Sequence, residues 1–316
     1  MHFLIQAPDR RVRAAVLALL SGGASLLAVG PAHAGSGETQ VNDTRIEVVN
    51  NKAAHVAASG GHTATANSVV SEGKIANSAV TVTGNSAAAR AEADEAHAAS
   101  LRNRSAATVR ASTITIAGNK GKVSKKGTIN TVDNSKQIAS SRITIKNNRG
   151  SVHNGGVVNS VVNTGRISNS HIAILGNKGG ATDGGTVNAV INSGRIKAGK
   201  ILISGNRGTA NGGGLVNSLD NRGSLTGSVT IADNDGIARG GGTINSLVNH
   251  GKLSGEVVIR GSHGTVTGKG IKNSVINRGD ISGKVSIVGS KASGAAAAGT
   301  SGAVVQSVTV GAPGDS

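Results

Sequence analysis

The chain has 316 residues, of which 48 are Gly and 3 are Pro; Cys, Trp and Tyr are absent and the one Phe is Phe3. A core of large rings and a disulfide framework are both excluded, so the interior must be thin and built of small aliphatics. A hydrophobic content of 37% with 16% charged residues argues against disorder, and 33 Lys and Arg against 16 Asp and Glu make the chain strongly basic.

Residues 1–34 read as an export signal. Arg10, Arg11 and Arg13 form a basic start, an apolar run follows from Ala14 to Val29, and Ala32-His33-Ala34 is a small-residue cleavage site. Cleavage after Ala34 leaves 30 basic and 15 acidic residues, and later segments offer no membrane-spanning helix. The expected destination is outside the cytoplasm: extracellular, cell surface or periplasm.

Residues 35–65 are expected to form an N-terminal cap and a first strand. A repeat then runs over residues 66–290. An aliphatic–x–aliphatic pair followed by Gly-Asn or a variant recurs at Ile46, Val80, Ile114, Ile143, Ile172, Ile201, Val229, Val257 and Val285, at spacings of 34, 34, 29, 29, 29, 28, 28 and 28. Between the copies lies N-S-aliphatic-x-N-x-G, as NSVVNTG from Asn159 and NSVINRG from Asn273. Each repeat reads as three short β-branched runs with Gly-rich corners. The fold class expected is all-β: a parallel β-helix (β-solenoid), right-handed, of about nine coils of 28–34 residues with three strands per coil. An Ala- and Glu-rich insertion at 86–100 is expected to hold a short helix. Residues 291–303 read as a linker and 304–316 as a last strand and tail.

The period-two pattern of the first strand places Asn163, Asn192, Asn221, Asn249 and Asn277 inward, two residues after an aliphatic. Buried amides need partners, and stacked coils place like residues about 4.8 Å apart. The expectation is an Asn ladder, each amide donating to the next carbonyl oxygen. The step from Ile196 to Ile201 is five residues and that from Leu225 to Val229 is four, so the lost residue should fall at a corner.

The G-x-[IL]-x-G step, as in Gly251-Lys252-Leu253-Ser254-Gly255, and the N-x-G corners resemble the secreted β-helix repeats of filamentous-haemagglutinin-like adhesins and autotransporter passengers. The likeness covers about Ala66 to Gly289. It implies a secreted, bacterial surface or biofilm protein; carbohydrate-active β-helices share the architecture, so an enzyme is the rival reading, and the residues below argue against it. The chain lacks an aromatic-capped barrel domain and an obvious two-partner secretion domain.

No cofactor or metal is expected. Glycosidase chemistry needs two carboxylates about 5–10 Å apart, and Asp133 and Asp220 share a column three coils apart. Asp233-Asn234-Asp235-Gly236 is better read as carrying an ion pair to Arg207 than as a calcium loop. Two surfaces stand out. Lys120, Arg149, Lys178 and Arg207 follow Gly-Asn in four successive coils, and Arg166 and Arg195, with Lys74 and Lys252, form a second basic column. They suit a linear polyanion, namely lipopolysaccharide, an acidic polysaccharide or extracellular DNA, bound along the columns, with cleavage of a polysaccharide the lesser alternative. No aromatics interleave, so base stacking is excluded as a mode, and sequence-specific nucleic-acid binding is not expected. The second surface is a mild outward face on the first strand, Val158/Ser160/Val162, Val187/Ala189/Ile191 and Ile244/Ser246/Val248. Within it Val162, Ile191 and Val248 are the candidates for association with further copies.

Overall fold

A computed structural model describes residues 5–6, 15–18, 26–30, 40–43, 45–50, 52–58, 64–66, 68–71, 74–91, 96–103, 108–124, 127–268, 270–293, 304–305 and 307–310. These residues form a parallel β-solenoid of strands and turns, with no helix among them. Six regular coils open at Gly127, Gly156, Gly185, Gly214, Gly242 and Gly270, against the nine inferred from the motif count.

One coil shows the path. Gly156–Val158 lies in sheet D, Val161–Asn163 in sheet B, Ile167–Ser168 and His171–Leu175 both in sheet A, and Lys178–Ala181 in sheet C. The expected three strands per coil are therefore five strand segments in four sheets. The segments missed are the Gly-rich ones of sheets C and D, such as KGGA and GVV, whose low strand propensity reads as loop.

Glycine is there for packing. The inward column of sheet C is Gly150, Gly179, Gly208, Gly236 and Gly264, in register. A Cβ on Gly179 would lie 2.5 Å from Val187 Cγ1 and 3.1 Å from Asn159 Nδ2. Sheets C and D thus enclose a narrow second core, of Ala210, Val216, Ala238, Ile244 and Val266. The main core, a column of Ile and Val such as Ile167, Ile172, Ile174 and Val190, lies between sheets A and B.

Asn amides mark the corners. At the turn from sheet B to A, Nδ2 of Asn163 donates to Oδ1 of Asn192 at 2.8 Å, Asn192 to Asn221 at 2.8 Å, Asn221 to Asn249 at 2.6 Å and Asn249 to Asn277 at 2.6 Å. The expected ladder is present. The same Asn192 amide also donates to the Gly194 carbonyl two residues on, at 2.6 Å, which closes the N-x-G corner. Its glycine is fixed by close stacking, since a Cβ on Gly194 would meet Gly165 O at 2.5 Å. A second ladder stands between sheets D and B (Asn130, Asn159, Asn188, Asn217, Asn245, Asn273). A third stands between A and C (Asn85, Asn119, Asn148, Asn177, Asn206, Asn234).

The second ladder corrects the inward set. Asn159 is not a strand residue but a left-handed corner, with φ of 51°. Asn tolerates this conformation better than most residues. The turn resets the alternation, so Ser160 and Val158, expected outward, are both buried, as are Val187, Ala189, Ile244 and Ser246. Each Ser hydroxyl folds back onto the carbonyl two residues before, as Ser160 Oγ to Val158 O at 2.7 Å.

This ladder begins at Asn130, whose Oδ1 is buried without a donor. The matching place one coil earlier is Ala99, itself buried and left-handed with φ of 49°. Ala99→Asn should supply the missing amide and suit the backbone better. We expect a gain of about 1 kcal/mol, or roughly 2–4 °C in melting temperature. An unchanged or lower melting temperature would refute this account of the ladder's end.

The change of period also falls at a corner. In the 29-residue coils a left-handed residue, Ser140, Asn169 or Ala198, stands two places after the first sheet A isoleucine; Asn169 parts Ile167–Ser168 from His171–Leu175, and Ala198 lies within Ile196–Ser204. Pairing of Ile196–Ser204 with Leu225–Ala232 shifts register between Lys197 and Lys200, and the residue lost in the shorter coils is lost there.

Three further expectations on domain boundaries differ. Residues 86–100 carry the strands Ser86–Ala91 and Ala96–Ala98 rather than a helix; both pair in parallel with the coils on either side. Arg45–Val49 is the expected first strand, stacked in sheet A, while Lys52–Ala58 stacks in sheet C where a cap was expected. Lys291–Ser293 adds a last strand to sheet C, while the rest of the expected linker lies outside the described residues. Within residues 1–34, Leu26–Gly30 pairs in parallel with Ser68–Ser71, and Ile5–Gln6 pairs antiparallel with Arg45–Val49.

Candidate polyanion face and association surfaces

The first basic column is a register feature of sheet C. Lys120 pairs with Arg149, Arg149 with Lys178 and Lys178 with Arg207. All four are exposed. Their backbones are held by asparagines: the N–H of Arg149, Lys178 and Arg207 donates to the carbonyls of Asn119, Asn148 and Asn177, each at 2.8 Å. The carbonyls of Lys178 and Arg207 accept from the side chains of Asn159 and Asn188, each at 3.1 Å. Two ladders thus fix the backbone from which these cations project. The column is bounded. Before it stands Ser86, and after it Asp235, which pairs with Arg207 at 3.4 Å, as the sequence reading expected. Asn234 is buried in the third ladder and so is turned away from any calcium loop.

The second basic column is shorter than expected. Arg166 and Arg195 are stacked neighbours before Ile167 and Ile196, but Gln137 precedes Ile138 and Ser224 precedes Leu225, so the run is broken on both sides. Lys74 and Lys252 share the column without touching it.

A third row was missed. On the outer face of sheet A, Arg142 pairs with His171 and His171 with Lys200. Burial, and then the positive charges of Lys200 and Arg142, lower the His171 imidazole below its ordinary 6.5. The signal was available: these residues open the aliphatic–x–aliphatic strands, but only three of nine copies carry a cation or His in succession. Together the three rows make one basic belt. Residues 134–219 contain ten Lys and Arg and a single acidic residue, Asp183.

The candidate association face is narrower than expected. Val162, Ile191 and Val248 do lie outward and half-buried on sheet B, yet Asp220 stands between Ile191 and Val248 in the same column. The more open apolar surface is at the C-terminal end. Val285 and Ile287 are only half-buried, unlike their equivalents Val257 and Ile259, and Val288, Val308 and Val310 are 60%, 47% and 57% exposed. Among the described residues no cluster of His, Asp or Glu is arranged to hold a metal.

The architecture is that of the parallel β-solenoids. Comparison with protein-family models, with curated proteins and with solved structures finds no match for the chain.

Proposed function

We propose that the chain is an exported, non-enzymatic solenoid that serves as an adhesive or structural element of a cell surface or extracellular matrix, through association of its copies. The observation that carries this reading is the open end of the main core at Val285 and Ile287, flanked by exposed Val288, Val308 and Val310. Among the described residues no strand pairs with the outer edge of Lys284–Val288, and an unpaired strand edge with apolar side chains is a template for another strand. Removal of residues 1–34 on export would free the opposite edges, Arg45–Val49 and Ser68–Ser71, from the strands that pair with them. End-to-end stacking is favoured over lateral contact, because Asp220 interrupts the apolar column of sheet B. The resemblance to adhesin-type repeats points the same way.

Electron microscopy of the exported protein, with mass spectrometry of its N-terminus, tests this. The expected result is Gly35 as first residue and rods joined end to end. Val308→Lys with Val310→Lys should yield single rods with unchanged β-sheet circular dichroism, whereas Lys at Val162, Ile191 and Val248 should leave the joints intact. Single rods from the wild type, or release of reducing ends from an acidic polysaccharide, would overturn the reading.

A further inference from the structure

Between Asp133 and Asp220 the belt's cations lie on adjoining walls, and Lys120 continues the sheet C column beyond Asp133. On sheet C stands the column Arg149, Lys178 and Arg207; across the Asn corner, on sheet A, stands the row Arg142, His171 and Lys200. Neighbours within each row are separated by the coil spacing, about 4.8 Å along the axis. Among the described residues the belt holds one carboxylate, Asp183, in the corner after sheet C. A solenoid needing charge only for solubility would intersperse both signs. The outward column beside the cations is small and polar, Ser151, Gly180 and Thr209, and leaves a flat lane.

We propose that this lane binds a carboxylated linear polysaccharide laid parallel to the solenoid axis, with successive acidic sugars meeting successive coils. The coil spacing is close to the length of one pyranose unit in an extended chain, whereas one DNA strand places a phosphate every ~3.4 Å of helix axis and falls out of step. Arg149 and Arg207 present planar forks suited to carboxylates, and the neighbouring hydroxyls suit sugar hydroxyls. The lane ends where Asp235 neutralises Arg207. Binding of this kind is independent of whether copies of the chain associate.

The test uses oligogalacturonates of graded length against the intact protein, at several salt concentrations. Affinity should rise with length until the sugar spans the belt, then level off. The triple variant Arg149→Gln, Lys178→Gln, Arg207→Gln should weaken binding about tenfold or more and flatten the salt dependence by about two counterions. The control triple Lys252→Gln, Arg278→Gln, Lys284→Gln removes the same charge from exposed positions outside the belt and should change affinity less than about threefold. Asp235→Asn should tighten binding by freeing Arg207. Equal losses in the two triple variants would reduce the effect to net charge and overturn the proposal. So would tighter binding of single-stranded or duplex DNA than of the oligogalacturonate at the same salt.

Discussion

Gly179→Val should lower the melting temperature by about 6–12 °C, an overpacking cost of about 3 kcal/mol, while Gly180→Thr, one residue on, should leave it unchanged or raise it. Gly179 faces the narrow core, where a Cβ would press on Val187 Cγ1 at 2.5 Å and Val158 Cγ1 at 3.2 Å. Neither valine can retreat, because in sheet D Val187 is stacked between Val158 and Val216, and Val158 between Ile129 and Val187. Gly180 faces outward, with nothing within 4 Å of a Cβ, and its neighbours in the column are Ser151 and Thr209. A β-branched residue there gains strand propensity and loses the entropic penalty of Gly, together worth about 0.5–1 kcal/mol. Thermal denaturation of the two single variants decides the matter. Equal shifts would mean that sheets C and D do not enclose a core.

Asn192→Leu should cost about 3 kcal/mol, because it leaves two buried groups unpaired. Asn221 Oδ1 loses its 2.8 Å donor and Asn163 Nδ2 its 2.8 Å acceptor, and the half-buried Gly194 carbonyl also loses the amide that closes its corner. Asn206→Ser should cost less. Ser262 already stands in that column and accepts from the Asn234 N–H at 3.3 Å, so a hydroxyl can take over the acceptor part of the ladder. What Ser cannot replace are the bonds from the Asn206 amide to Ile174 O at 2.8 Å and to Asn234 Oδ1 at 3.0 Å, though that oxygen keeps the Asn206 backbone N–H at 2.9 Å. Melting curves of the two variants should therefore separate by several degrees, and coincident curves would contradict the assignment of roles in the two ladders.

The solenoid itself was legible because its repeat is strict. Asn163 and its equivalents lie two residues after an aliphatic in every coil, and that alone fixed the B-sheet ladder and the register of the main core. What escaped was local conformation at single residues. Nothing in the motif N-S-aliphatic distinguishes a left-handed Asn159 from an extended one, and that one dihedral turns Val158 and Ser160 from surface to interior. The Gly-rich runs hid two further sheets, since a residue chosen for its lack of bulk shows no strand pattern. At the candidate site, the column Lys120 to Arg207 was readable from spacing after Gly-Asn. The row Arg142, His171 and Lys200 was open to the same reading, since each residue opens an aliphatic–x–aliphatic strand, but only three successive coils carry it and it was passed over.

The stacking of like on like has a consequence for inheritance. Removing Gly185 to Gly213 would join Gly184 to Gly214 and set Asn163 beside Asn221, Asn159 beside Asn217 and Val161 beside Leu219, each a pair the columns already contain. Unequal recombination between repeats could thus lengthen or shorten the rod by whole coils without posing a new packing problem. The cations would not be so indifferent. That deletion takes out Arg195, Lys197, Lys200 and Arg207 and brings Lys178 against Asp235, so rod length can drift freely while the basic belt is kept only if selection acts on it.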